Sequence, residues 1–375
     1  MSDALLDNFD PEKRASRRNF IIFLVSALIL TTTSVIFIIL YFKEKNEDDD
    51  DNNDYDNGNY DIQALSLWNN NNSKKRLIDF VRNIKKTIPK EDRIAVFDLD
   101  GTLFQETDPI YTDFKLYKYR VLDDPDYKNK ATQEQIDVAN EIVEIMKTRV
   151  FPKGIDLRHA KCFAQSIKDM TIEEFYEYAK NFLQEEAEGY NNLKRGEAFY
   201  QPMLQVIEYL KSNGFTVYVV SGTDRFLVRA IVDGHINIPK NQIIGTDTRI
   251  VASQQDGVDG FNYTYIKDDD LIFKGEFLIK NLQMNKVHNI IKQIGKIPIL
   301  SFGNSNGDSS MANLAISNGR GLAFMLLCDD LEREEGNEAK AKSMEESCNK
   351  NGWIPVSMKN DWKTIYGENV TRKIE

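Results

Sequence analysis

An α/β fold built on a parallel sheet is predicted by three features of this chain. Short apolar runs at Ile94–Phe97, 215–220 and 298–302 each end in polar residues able to do chemistry. Amphipathic helical segments lie between them, and glycines such as Gly214 and Gly295 stand where those helices should stop. Runs of four to six residues, apolar but for Thr216 and Ser301, suit strands covered on both faces.

The chain has 375 residues, enough for one large or two ordinary domains, and 41% hydrophobic content, enough for a core. Residues 20–42 form a 23-residue stretch without a charge. At about 1.5 Å per residue it spans a hydrocarbon layer of roughly 30 Å, so a transmembrane helix is predicted there. It is longer than the apolar region of a cleaved signal, and no small-x-small site follows it. Lys13, Arg14, Arg17 and Arg18 precede it, whereas only Lys43 and Lys45 follow before the acids begin. The positive-inside bias then keeps residues 1–19 cytoplasmic and puts the remainder in a lumen or outside, a type II topology. Residues 43–62 carry nine acids and two bases, −7 of the chain's net −11, and read as a disordered linker. This charge balance argues against a nucleic-acid partner.

Leu77, Phe80, Val81, Ile84 and Ile88 mark a helix leading into the first strand. That strand ends in Asp98 and Asp100, which share one face of an extended segment and can address one phosphate from one side, while Gly101 lets backbone N–H groups approach. Ligands of open α/β sheets lie at such strand ends. Residues 105–199 are helical, charged and aromatic-rich, an insertion without a buried strand. Met203, Val206, Ile207 and Leu210 share a helix face before the second strand, whose end is read as a turn, Ser221-Gly222-Thr223, holding a phosphate beneath a helix N-terminus. Three alternating runs, 249–253, 263–267 and 271–277, predict a β-ribbon. Val287, Ile290, Ile291 and Ile294 mark a last helix, and strand 298–302 runs into Gly303-Asn304-Ser305-Asn306-Gly307-Asp308. Cys162, Cys328 and Cys348 have no metal-type spacing; a bond between Cys328 and Cys348 or three reduced thiols both remain open.

Asp98-Leu99-Asp100-Gly101-Thr102 resembles the first signature of the haloacid-dehalogenase superfamily, Ser221 its second, and residues 303–308 its fourth with one change. From about Arg93 onward the chain resembles a phosphoserine-phosphatase-like branch, some of whose members are phosphorylcholine phosphatases. A helix beginning Glu332-Arg333-Glu334 and the ending at 351–362 add to the likeness. The resemblance implies a Rossmann-like core, residues 63–104 and 200–375, with residues 105–199 as a helical cap between the first and second motifs.

In mechanism it implies that Asp98 is the nucleophile and Asp100 the acid and base. Mg²⁺ would be held by Asp98, the Asp100 carbonyl and Asn304, with Asp308 joining the metal site by orienting Lys286 or a metal-bound water. Thr102, Ser221 and Gly222 would bind phosphoryl oxygens. The required lysine is Lys286 rather than Lys274 or Lys280, because a helix between parallel strands starts at the sheet's carboxyl edge. Lys274-Gly275-Glu276 is the runner-up, for its likeness to the lysine context of phosphoserine phosphatases. Asn304 replaces the usual aspartate; its amide oxygen is a hard ligand without charge, so weaker Mg²⁺ affinity is expected.

For substrate, Glu106 and Asp108 are candidates to meet an amine, and Arg120, Arg195 and Arg225 a carboxylate. Phe114, Tyr117, Tyr119, Phe175, Tyr176, Tyr178, Phe199 and Tyr200 supply the cap's core or an ammonium cage. The implied activity is a membrane-anchored, Mg²⁺-dependent hydrolysis of a small phosphomonoester resembling phosphoserine or phosphorylcholine. A catalytically silent binder of phosphorylated ligands and a phosphotransferase or phosphomutase are the alternatives.

Overall fold

The computed structural model describes Gln63 and residues 65–373. The predicted cytoplasmic tail, membrane helix and acidic linker lie outside these residues. Among the described residues, no helix is long and apolar enough to cross a membrane.

Asn71 accepts from the Lys74 amide at 2.9 Å and so starts α1 (Asn72–Thr87), which buries Leu77, Val81 and Ile84. The catalytic strand β1 (Ile94–Phe97) is buried along its whole length. The insertion then contributes α2 (Thr112–Lys118), α3 (Gln133–Thr148), α4 (Ile155–Ser166), α5 (Ile172–Leu183) and the short β2 (Tyr190–Asn191). Both α3 and α5 open with capping boxes, Thr132 with Gln135 and Thr171 with Glu174.

Next come α6 (Gln201–Ser212), β3 (Thr216–Asp224), α7 (Arg225–Val232), β4 (Ile243–Ala252), β5 (Leu271–Ile279) and α8 (Met284–Ile294). The chain closes with β6 (Leu300–Gly303), α9 (Ser309–Ile316), β7 (Leu322–Leu327), α10 (Glu338–Asn351), β8 (Ile354–Ser357), α11 (Met358–Asp361) and β9 (Thr371–Arg372).

Seven strands form one sheet in the order β5-β4-β3-β1-β6-β7-β8, parallel except for β5, and β2 pairs with β9. β1 sits at the centre, covered on both faces. Ile94 and Val96 pack with Ile290 of α8 and Met311 of α9, whereas Ala95 and Phe97 belong to the large core with Leu77 and Val206. Phe97, Phe302 and Phe324 are in register on β1, β6 and β7 and stack at 4.3 and 5.0 Å. Asp98 and Gly303 follow two members of this stack directly.

Three expectations need correction. Ser221-Gly222-Thr223 is no turn: β3 runs to Asp224 through an irregular register, and Asp224, not a phosphate, caps the α7 amides of Phe226 and Leu227. The β-ribbon has two strands, since residues 263–267 lie in a loop gathered around Asp269, whose carboxylate accepts from Tyr263 and the Ile266 amide. Glu332-Arg333-Glu334 forms a turn, and the helix begins at Glu338 after Asn337 has capped it. For the cap aromatics the core alternative holds: Tyr117, Phe175, Phe199 and Tyr200 are buried in the core, and of the named set only Phe114 also lines the large cavity described below. All three cysteines are free thiols.

Candidate active site

At the carboxyl edge of β1, the amide of Asp98 continues the ladder by donating to the Phe302 carbonyl at 2.9 Å. The chain then turns tightly on the Leu99 carbonyl, which accepts from the amides of Thr102, Leu103 and Phe104, and Gly101 takes φ +73°. Asp98, Asp100, Gly222, Asn304 and Asp308 line a cavity of about 510 Å³.

Lys286, in the first turn of α8, is fully buried. Its ammonium donates to Asp98 Oδ1, Asp308 Oδ1 and the Val220 carbonyl, each at 2.6 Å, so its three protons are all placed. Burial alone would pull this ammonium down, but Asp308 and Asp98 hold it above the ordinary lysine value. Lys274 lies on β5, half-buried and paired with Glu276 at 3.2 Å. Lys280 lines the cavity wall away from Asp98's contacts.

Asp308 accepts from the Asn304 and Ser305 amides and the Ser305 hydroxyl on Oδ2, at 3.0–3.1 Å, while Oδ1 holds Lys286. Both its oxygens are thereby engaged. Asp308 thus holds Lys286 and the 304–305 backbone together.

Burial and the neighbouring Asp308 push Asp98 up to about 7 against the pull of Lys286. Asp100 is pushed well above the carboxylate range by burial, Asp113 and Asp98, although it accepts from the Thr223 hydroxyl at 2.8 Å. Its Oδ1 is buried without a partner. Asp113, on α2, is raised to about 6 by burial despite Lys280 nearby.

Thr102 and Ser221 are fully buried and do not line the cavity. Thr102 donates to Asn304 Oδ1 at 3.4 Å; the Ser221 hydroxyl accepts from the Thr223 amide at 3.1 Å. Gly222 and Thr223 do line it, and a Cβ on Gly222 would meet Leu282 at 2.7 Å. Glu106 is not free to receive an amine, because it pairs with Lys340 and accepts from Asn304 Nδ2 at 2.9 Å. Asp108 is buried against Lys115. Arg120, Arg195 and Arg225 are paired with Asp124, Glu185 and Asp247. The far wall is made instead by Tyr111, Asp113, Phe114, Asp156 and Lys280, with Lys340 at the rim. Thr223 had a signal, since it completes the Ser-Gly-Thr triplet. The wall had none, as its members come from separate helices and loops.

Among the described residues, no group of three or more His, Cys, Asp or Glu side chains is arranged to hold a metal. A Mg²⁺ site needs no such group: the ion binds through one or two carboxylates, keeps several waters and takes substrate oxygens. One Asp98 carboxylate and the Asn304 amide oxygen on a shared cavity are a hard, all-oxygen set that fits it.

Residues 95–265 match the family model described as haloacid dehalogenase-like hydrolase. No curated protein matches the chain. Similar solved structures include a functionally unknown protein from Anaerococcus prevotii, 15% identical over 76% of this chain and 91% of that one, TM-score 0.48. Others are a cytosolic 5'-nucleotidase IIIB bound to cytidine, 10% identical over 77% and 86%, TM-score 0.47, and a phosphoserine phosphohydrolase-like protein from Francisella tularensis, 13% identical over 70% and 94%, TM-score 0.38. The matched stretch is a haloacid dehalogenase-like hydrolase domain that carries the paired aspartates, and the fold brings Lys286 and Asp308 to them from outside it.

Proposed function

We propose that the protein is a Mg²⁺-dependent phosphomonoester hydrolase working through an aspartyl-phosphate, anchored to a membrane by residues 20–42 with its catalytic part lumenal or extracellular. The observation that carries this reading is the contrast between two neighbouring carboxyls. Asp98 is held by a buried lysine, whereas burial, Asp113 and Asp98 raise Asp100 well above the ordinary carboxylate value and favour its protonated form.

Asp98 attacks phosphorus, forming one P–O bond as the bond to the leaving oxygen breaks. Asp100 gives its proton to that oxygen, then takes one from the water that cleaves the acyl-phosphate. Lys286 offsets charge on Asp98 throughout. Mg²⁺, held by Asp98, the Asp100 carbonyl and Asn304, would neutralise phosphoryl oxygens when bound. On the wall, two acids and two aromatics, Asp113, Asp156, Tyr111 and Phe114, stand against one cation, Lys280, a balance that suits a leaving group bearing a cation, as in phosphorylcholine or phosphoserine.

The test is phosphate release by the purified full-length chain from p-nitrophenyl phosphate, phosphoserine and phosphorylcholine, with and without Mg²⁺, beside Asp98→Asn. Mg²⁺-dependent release that falls to background in Asp98→Asn is expected. No turnover alongside retained binding of a phosphate analogue would instead favour a silent binding protein.

A further inference from the structure

We infer that Glu106 is a positioning residue for the metal site: it decides which end of the Asn304 amide faces the cation. The inference rests on the Mg²⁺ reading above. An asparagine ligand has a weakness that aspartate lacks. Half a turn about its last bond replaces the oxygen donor with an NH₂ group that repels a cation.

Three observations show what holds Asn304 in one orientation. First, Asn304 Nδ2 donates to Glu106 Oε2 at 2.9 Å between two buried side chains. An ionised carboxylate only accepts, so NH₂ must face Glu106, and Oδ1 turns the other way, toward the Thr102 hydroxyl at 3.4 Å. Second, the remaining Glu106 oxygen is held by Lys340 of α10. Lys340 balances the charge of Glu106 locally, so direction rather than charge is what Glu106 supplies. Third, a Cβ at Gly101 would lie 2.0 Å from Asn304 Nδ2 and 2.7 Å from the Glu106 carboxyl carbon. The pair is therefore packed directly on the first motif's backbone, and glycine is needed there for this approach as well as for its positive φ.

Glu106→Gln tests the idea with almost no change of shape. Lys340 demands an acceptor, so the new amide turns its oxygen to Lys340 and its NH₂ to Asn304. Asn304 must then rotate to accept, which presents its own NH₂ to the cation. Mn²⁺, a hard ion that takes the same oxygen donors, reports binding through loss of the free-ion electron paramagnetic resonance signal, without turnover.

In the native background we expect Glu106→Gln to weaken Mn²⁺ binding by about 10–100-fold, the usual cost of losing an outer-shell partner. In the Asn304→Asp background the same change should tighten binding, because a donor replaces a carboxylate that faced another carboxylate. Equal weakening in both backgrounds would mean that Glu106 acts through its charge and would overturn the inference, as would no effect in the native one. If Glu106→Gln alone does not fold, the pair of proteins carrying Asn304→Asp decides the matter, tighter binding supporting the inference and unchanged or weaker binding overturning it. Absence of Mn²⁺ binding by the unaltered protein would bring down the metal reading itself, and this inference with it; binding without the reversal of sign brings down the inference alone.

Discussion

Asp98, buried, and Asp100, half-buried, stand two residues apart in one cavity wall, yet they differ in their neighbours. Asp98 touches the Lys286 ammonium at 2.6 Å; Asp100 has the Thr223 hydroxyl and, close by, the carboxyl of Asp113. A cation in contact favours the charged form, and burial beside like charge favours the neutral one. The division of labour proposed for them, Asp98 as nucleophile and Asp100 as acid, rests on this difference. Asp100→Asn keeps the shape and removes the transferable proton. It should slow release from alkyl phosphates by about 10²–10⁴-fold, and from aryl phosphates with acidic leaving groups far less, because these depart without a proton. Comparing kcat for the two substrate classes checks this, and equal losses would remove the acid role from Asp100.

At the scale of elements, the levels of the strand ends matter as much as their residues. The stack of Phe97, Phe302 and Phe324 locks β1, β6 and β7 in register one residue below Asp98 and Gly303. Phe302→Ala should therefore cost about 3–5 kcal/mol in a denaturant titration, the range for a fully buried aromatic. It should also weaken Mn²⁺ binding, since Asn304 is set by the same strand. A loss below about 1 kcal/mol would mean that neighbouring side chains refill the gap and the stack has no such role. The second motif teaches a related lesson. Its serine lies within the irregular end of β3, tied by Asn281, which donates to the Ser221 carbonyl at 2.9 Å. Gly222 and Thr223 face the cavity in its place.

Across the whole described unit, Glu334 joins parts far apart in the chain. Buried completely, it accepts from Thr107 at 2.8 Å, Tyr190 at 2.9 Å and Tyr366 at 2.5 Å, so one carboxyl holds both ends of the cap insertion and the C-terminal segment. Burial raises it from 4.5 to about 7, only partly opposed by these donors. With the folded value above the unfolded one, its stabilising contribution is full below about pH 4.5 and lost as pH rises through about 7. Relative to Glu334→Gln, which cannot ionise, the native protein should lose on the order of 3 kcal/mol between pH 4 and 8. Unfolding midpoints of both proteins across that range measure the difference. A gap that does not vary with pH would show that Glu334 has an ordinary acidity.

Much of this was legible before any coordinates. Apolar runs, glycine stops and the paired aspartates are local signals, set by backbone sterics and by which face of a strand or helix is apolar. They located β1, β3, β6 and α8, and the rule that a helix between parallel strands starts at the carboxyl edge selected Lys286 over Lys274. The run Leu322–Leu327 carries the same signal for β7. What the sequence could not determine is which polar groups end up facing one another across long separations. Glu106 is claimed by Lys340, 234 residues away, and by Asn304, 198 residues away; Asp224 takes the amides offered to a phosphate; Arg120, Arg195 and Arg225 turn to acids outside the cavity. A buried charge must find a partner, and only the packed tertiary structure decides which partner lies within reach.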